Sequence, residues 1–187
     1  MQELTKKGKF LEIFFAVIFV FIGIVLRLLP HPPNFTPISA VALFGGVYFS
    51  RKIALILPII AMAVSDFFIG FYDFRLMLVV YLSFILCAIL GIWLRSHKKW
   101  QTTMACSLTG SFIFYISTNF AVWMFSGWYP KNLSGLIYSY YMALPFFKNS
   151  LLGDMFFVIL FFGLYETVKV LIRKKYSAEK IILANNF

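Results

Sequence analysis

Six apolar runs separated by short polar or basic breaks make up most of the chain: Phe10 to Leu29, Thr36 to Ser50, Ile53 to Tyr72, Leu76 to Leu94, about Thr103 to Ser126 and about Ser150 to Ile172. All but the second have the roughly 20 residues that a helix needs to cross the hydrocarbon of a bilayer. The first run follows Lys6, Lys7 and Lys9. It exceeds the ~7–15 apolar residues of a signal-peptide core, carries Arg27 near its end and is followed by no small-x-small cleavage site, so it predicts a retained anchor. The second run has fifteen residues, which at ~1.5 Å each cover only ~22 Å. It must be sheltered by neighbouring helices or be re-entrant, and Ala42 and Gly46, four apart, suit close helix contact.

Charge decides between these two. If all six runs cross and the N-terminus lies inside, the cytoplasmic clusters are Lys6/Lys7/Lys9, Arg51/Lys52, Arg95/Lys98/Lys99 and Lys169/Arg173/Lys174/Lys175/Lys180, thirteen of the seventeen Lys and Arg. Only Arg27, Arg75, Lys131 and Lys148 fall outside. A non-spanning second run would put Arg51/Lys52 and both later clusters on the wrong side. The expectation is an all-α membrane protein: a six-transmembrane-helix bundle with both termini inside (N-in/C-in), a single transmembrane domain over residues 1–187, in the cell inner (cytoplasmic) membrane. With 61% hydrophobic and 13% charged residues, the formal charge of +10 reads as a topology signal and not as a nucleic-acid surface.

The break between the first two runs, "LRLLPHPPNFTPISAVALFGG", gathers Pro30, Pro32, Pro33 and Pro37. The first three end helix 1 and favour extended backbone before them. Thr36 then predicts an N-cap with Pro37 at the first helical position. Such a stiff loop would hold His31, Asn34 and Phe35 in place, and groups already in position lose less entropy when a ligand arrives. The alternative is a short connector whose prolines only terminate a helix.

Polar residues inside the other runs fall at a similar depth. Asp66 in "AVSDFF" needs compensation, because a charge at the bilayer centre costs ~2.5–3.5 kcal/mol on insertion scales. Arg27, Arg75 or a bound solute can supply it. Asn119 lies in the outer half of helix 5 and Asp154 near the outer end of helix 6, so an outward-facing cavity is expected where these groups converge. Between Gly127 and Ser150, Trp128, Tyr129, Tyr138, Tyr140 and Tyr141 fit an interfacial aromatic belt or a lid. Leu133 to Leu144 predicts a short helix lying on the outer surface and ended by Pro145.

Reactive chemistry is sparse. His31 and His97 are placed on opposite faces, which argues against a histidine-based metal centre; no cofactor is expected. The H-E-x-x-H, P-loop and G-x-S-x-G patterns are absent. Cys87 and Cys106 read as buried free thiols, and Glu166 as an intrahelical partner of Lys169. No catalytic motif marks the chain as an enzyme.

The segments "RLLPHPPNFTPISAVALFGGVYF", "SDFFIGFYD" and "NFAVWMFSGWYPKNLSGL…YYMALPFFKNSLLGD" resemble the recurring motifs of an uncharacterised family of small bacterial integral membrane proteins, over most of Arg27 to Asp154. That family more distantly resembles the S components of energy-coupling factor (ECF) vitamin transporters. The resemblance implies six helices and an outward pocket, closed by outer loops, that captures a vitamin-like nutrient. It also implies an energising partner module. Helix 1 has Ala16 and Gly23 where S components that share such a module carry an alanine-x-x-x-alanine pattern. Docking would then fall to Ala42/Gly46 on helix 2 or Ala61/Ser65 on helix 3, and a solitary carrier is equally open. The expected function is capture of a small organic nutrient from outside, with His31, Asn34, Phe35, Asp66, Asn119, Trp128, Tyr129 and Asp154 as the candidate substrate-binding set. The bilayer and a small molecule are the expected partners. The alternatives are an intramembrane enzyme acting on a lipid or prenyl substrate, and a non-transporting subunit or assembly factor.

Overall fold

The structure, a computed structural model, describes the backbone of residues 2–185 and the side-chain surroundings of residue 10 and residues 12–171. The basic clusters at Lys6/Lys7/Lys9 and Arg173/Lys174/Lys175/Lys180 lie outside the residues whose side chains are described. Among the described residues the fold is six helices: α1 (Gln2–Leu28), α2 (Ile38–Tyr48), α3 (Arg51–Ile69), α4 (Phe74–Leu94), α5 (Trp100–Phe125) and α6 (Leu133–Asn185). Four stretches, Arg51–Ile69, Phe74–Leu94, Trp100–Phe125 and Leu133–Leu171, are long and apolar enough to cross a membrane. The chain is thus consistent with a multi-pass membrane protein. We call the end bearing loops 29–37, 70–73 and 126–132 the upper end, and the end bearing 49–50 and 95–99 the lower.

The short helix α2 is the centre of the bundle. It packs on all five other helices, and Ile38 and Ala40 to Val47 are all buried. Small residues make this possible. A Cβ on Gly46 would stand 2.4 Å from the Ala88 carbonyl oxygen and 2.6 Å from the Gly91 backbone, while one on Gly91 would stand 2.3 Å from the Leu43 carbonyl oxygen. Backbone therefore lies against backbone where α2 crosses α4, as small residues allow between apolar helices. Phe44 extends the contact by stacking on Phe19 of α1 at 4.4 Å and meeting Phe162 of α6 edge-on at 5.2 Å. Ala42, Gly46, Ala61 and Ser65 are buried inside the bundle, so neither small-residue stripe faces outward as a docking surface.

A buried helix end must still satisfy its last carbonyls. Arg95, from the start of the 95–99 loop, donates to the Gly46 carbonyl at 2.7 Å and also to that of Phe49, placing a cation at the negative end of α2. At the other end of the helix the expected cap shifts by one residue. Pro37, not Thr36, is the N-cap, its carbonyl accepts from the Val41 amide at 2.8 Å, and no side chain caps the end. Thr36 turns instead into the cavity described below. Helix α4 has a side-chain cap: Asp73 accepts from the amides of Arg75 at 2.9 Å and Leu76 at 3.3 Å.

The expected surface helix over Leu133 to Leu144 does not form. Helix α6 begins at Leu133 and continues through Pro145. Proline removes one helical donor, but this segment is held alongside α5. The Tyr115 hydroxyl donates to the Tyr140 carbonyl at 2.7 Å, the Tyr140 hydroxyl donates to the Ile116 carbonyl at 2.9 Å, and Phe147 stacks on Tyr115. These cross-helix bonds act just before the proline and keep the chain alongside α5, antiparallel to it, where it would otherwise fold over the bundle. The lid inferred from the aromatic stretch is thereby lost, and only residues 126–132 connect α5 to α6. Glu166 also differs from expectation. Its principal partners are Lys98 and the Tyr48 hydroxyl, the latter at 2.8 Å, with Lys169 farther away at 3.8 Å. It fastens α6 to α2 and to the 95–99 loop at the lower end.

Candidate functional site

Between the upper ends of the helices lies a cavity of about 200 Å³, lined by Arg27, Asn34, Thr36, Ser39, Met62, Tyr72, Val80, Phe84, Phe114, Ser150 and Asp154. Every helix contributes to it. At ~30 Å³ per molecule of liquid water it has room for about seven waters, which is small beside the ~300–1,000 Å³ of drug-sized pockets.

The proline-rich loop forms one wall. The Phe35 amide bonds to the Pro32 carbonyl at 3.0 Å, and Asn34 between them has φ of +65°. This is the φ pattern of a type II turn, with proline second and asparagine third, and asparagine is one of the few residues that tolerates the left-handed region. The loop is fixed to α6 as well: Asn149 donates to the Pro33 carbonyl at 3.1 Å, and a Cβ on Gly153 would stand 3.1 Å from the Phe35 Cα. Phe35 itself packs on Phe156 and Phe157. The phenylalanine anchors the turn, and the asparagine beside it faces the cavity.

Arg27 forms the second polar wall. Its guanidinium meets Asp66 at 2.7 Å and also reaches the Ser65 hydroxyl. Asp66, 1% exposed, accepts from the Tyr81 hydroxyl at 2.7 Å on its other oxygen. Of the two arginines compatible with the sequence, Arg27 is the partner; Arg75 pairs with Asp73 at 3.1 Å on the surface. Asp66 stands behind Arg27 and orients it without lining the cavity.

Asp154 is the third polar group. It is 4% exposed, and its carboxylate accepts from the Ser111 hydroxyl at 2.5 Å, with the Ser39 hydroxyl also beside it. It lies 21 residues into α6, about 32 Å along the helix at ~1.5 Å per residue. It is nonetheless level with the upper-end proline loop, since a Cβ on the adjacent Gly153 would stand 3.1 Å from the Phe35 Cα.

Of the eight residues expected at a binding site, Asn34 and Asp154 line the cavity, Asp66 supports it through Arg27, and Phe35 anchors its loop. The remaining four lie elsewhere. His31 bonds to the Leu29 carbonyl at 2.6 Å. Asn119 donates back to the Tyr115 carbonyl of its own helix at 2.7 Å. Trp128 is 77% exposed, and Tyr129 packs edge-on against Tyr138. Sequence reading missed Thr36, Ser39, Ser150, Tyr72, Met62, Val80, Phe84 and Phe114, and treated Arg27 only as a counter-charge. Their shared signal is weak, because single serines and aromatics recur throughout the chain. Among the described residues, no group of three His, Cys, Asp or Glu side chains is placed to hold a metal ion.

Residues 8–178 match the model of a family of unknown function, DUF6580, and the chain belongs to that family. No curated protein and no solved structure matches the chain.

Proposed function

We propose that this protein is a six-span protein of the cytoplasmic membrane, with both termini inside, that captures a small organic solute from the outer side in its upper-end cavity, in the manner of a transport S component. The observation that carries the reading is the cavity itself, in which Arg27, Asn34 and Asp154 converge from helix α1, the proline loop and helix α6. A pocket with a few convergent polar groups among apolar walls is the usual form of a small-molecule site. Its volume suits a compact solute and leaves no room for a lipid or prenyl chain. Orientation rests on the charges: Arg51, Lys52, Arg95, Lys98 and Lys99 gather at the lower end, as a cytoplasmic face requires. The unmatched alanine pattern on α1 and the burial of the α2 and α3 stripes favour a carrier that works without an S-component docking face.

Two measurements test this together. In a background lacking Cys87 and Cys106, Ser150→Cys should react with a membrane-impermeant maleimide in intact cells, and His97→Cys only after permeabilisation. Native mass spectrometry of the gently purified chain should show a bound small molecule that is lost in Asn34→Ala. Labelling of His97→Cys from outside refutes the orientation. A chain without any adduct, whose Ser150→Cys is also unreactive, refutes solute capture.

A further inference from the structure

The charges around the cavity do not balance. Arg27 and Asp66 form a pair, so together they contribute no net charge. Asp154 is accompanied only by hydroxyls, those of Ser111 and Ser39. Among the described residues no lysine, arginine or histidine forms an ion pair with it. With Asp154 ionised, the cluster carries one uncompensated negative charge, nine-tenths buried and facing an open space. Burying a charge without a partner is strongly unfavourable, so such a group either takes up a proton or holds a cation. The cavity walls beside it are aromatic. Phe84 and Phe114 lie 5.2 Å apart with their planes tilted by 32°, and Tyr72 closes another side. Aromatic faces attract cations through their negative quadrupole.

From this juxtaposition we propose that the cavity takes a small organic cation, its positive group against Asp154 and its body against Phe84, Phe114 and Tyr72. The inference rests on the reading that the cavity is a solute site and adds the class of solute. An anion would face Asp154 unshielded, while Arg27, the one cation among the described residues that line the cavity, is already engaged by Asp66 and Ser65. A neutral solute would supply no counter-ion to the carboxylate. The groups that face Asp154 are Ser39 from α2, Cys87 from α4 and Ser111 from α5, with Arg27 across the cavity.

Three probes of nearly one shape and different charge make the test: benzylammonium, benzyl alcohol and benzoate, each titrated against the full chain in lipid nanodiscs by thermal melting. Benzylammonium should bind at least tenfold more tightly than the other two. Asp154→Asn should abolish the preference. Phe114→Leu, which keeps the carboxylate, should weaken benzylammonium several-fold, and it serves in place of Asp154→Asn should that variant fail to fold. Tightest binding of benzoate, equal binding of all three, or a benzylammonium affinity unchanged in both variants overturns the proposal. If no probe binds but the purified chain carries a solute, the cation assignment fails and solute capture stands. If no probe binds, no adduct is found and Ser150→Cys is unreactive, both fail.

Discussion

Replacing Asp66 by asparagine keeps the size of the side chain and removes its charge, which leaves the Arg27 guanidinium, 16% exposed, without a counter-ion. Two unit charges about 4 Å apart attract by about 4 kcal/mol at an effective dielectric of ~20, and breaking one side of a buried pair typically costs ~3–5 kcal/mol. Arg27 borders the cavity and regains some solvation there, so we expect a loss of about 3 kcal/mol. At ~2–4 °C per kcal/mol for a chain of this size, the melting midpoint in nanodiscs should fall by about 6–12 °C. The discriminating measurement is the cycle. Arg27→Gln alone strands Asp66, whose remaining described partner is the Tyr81 hydroxyl, and should be comparably harmful. The double variant Arg27→Gln/Asp66→Asn removes both charges and should recover about 2 kcal/mol relative to the sum of the single changes. If Asp66→Asn melts within about 2 °C of the parent, or the two losses simply add, then Asp66 is not half of a structural pair and the geometry of this wall has been misread.

The contact between α2 and α4 predicts that Gly46→Ala and Gly91→Ala each destabilise the bundle by at least the ~1–3 kcal/mol of ordinary overpacking, since each new Cβ meets backbone within 2.6 Å and no flexible side chain can yield. Melting of either variant at the parental temperature would show that the helices can separate there without loss. At the turn, Asn34→Ala should lose about 1 kcal/mol from its left-handed backbone together with its cavity contact, whereas Asn34→Gly should lose the contact alone. Comparing melting and solute binding for these two variants separates the roles, and equal stability of both would remove the conformational argument.

Much of the fold can be read along the chain. The six apolar runs overlap the six helices, the break at 30–37 is a loop, and the burial of α2 follows from its being too short to cross unaided and rich in small residues. A counter-ion for Asp66 is demanded by its setting, and Arg27 and Arg75 are both named by their position. Three matters were settled only by packing. Arg27, not Arg75, reaches Asp66, because Arg75 is held by Asp73 at the surface while Arg27 turns into the bundle. Asp154 faces the cavity while Asn119 bonds to its own helix. Pro145 fails to end α6, because Tyr140, five residues before it, exchanges hydrogen bonds with α5. The physical reason is common to all three. A helix with one face in water announces its inner side by a hydrophobic period of 3.6 residues, but helices that are apolar all round, with residues such as Phe67, Phe112 and Phe156 exposed and others such as Phe84 and Phe157 buried, carry no such mark. Their sequence states where a helix lies along the chain, and only the fit of one helix against the next decides which way each polar side chain turns.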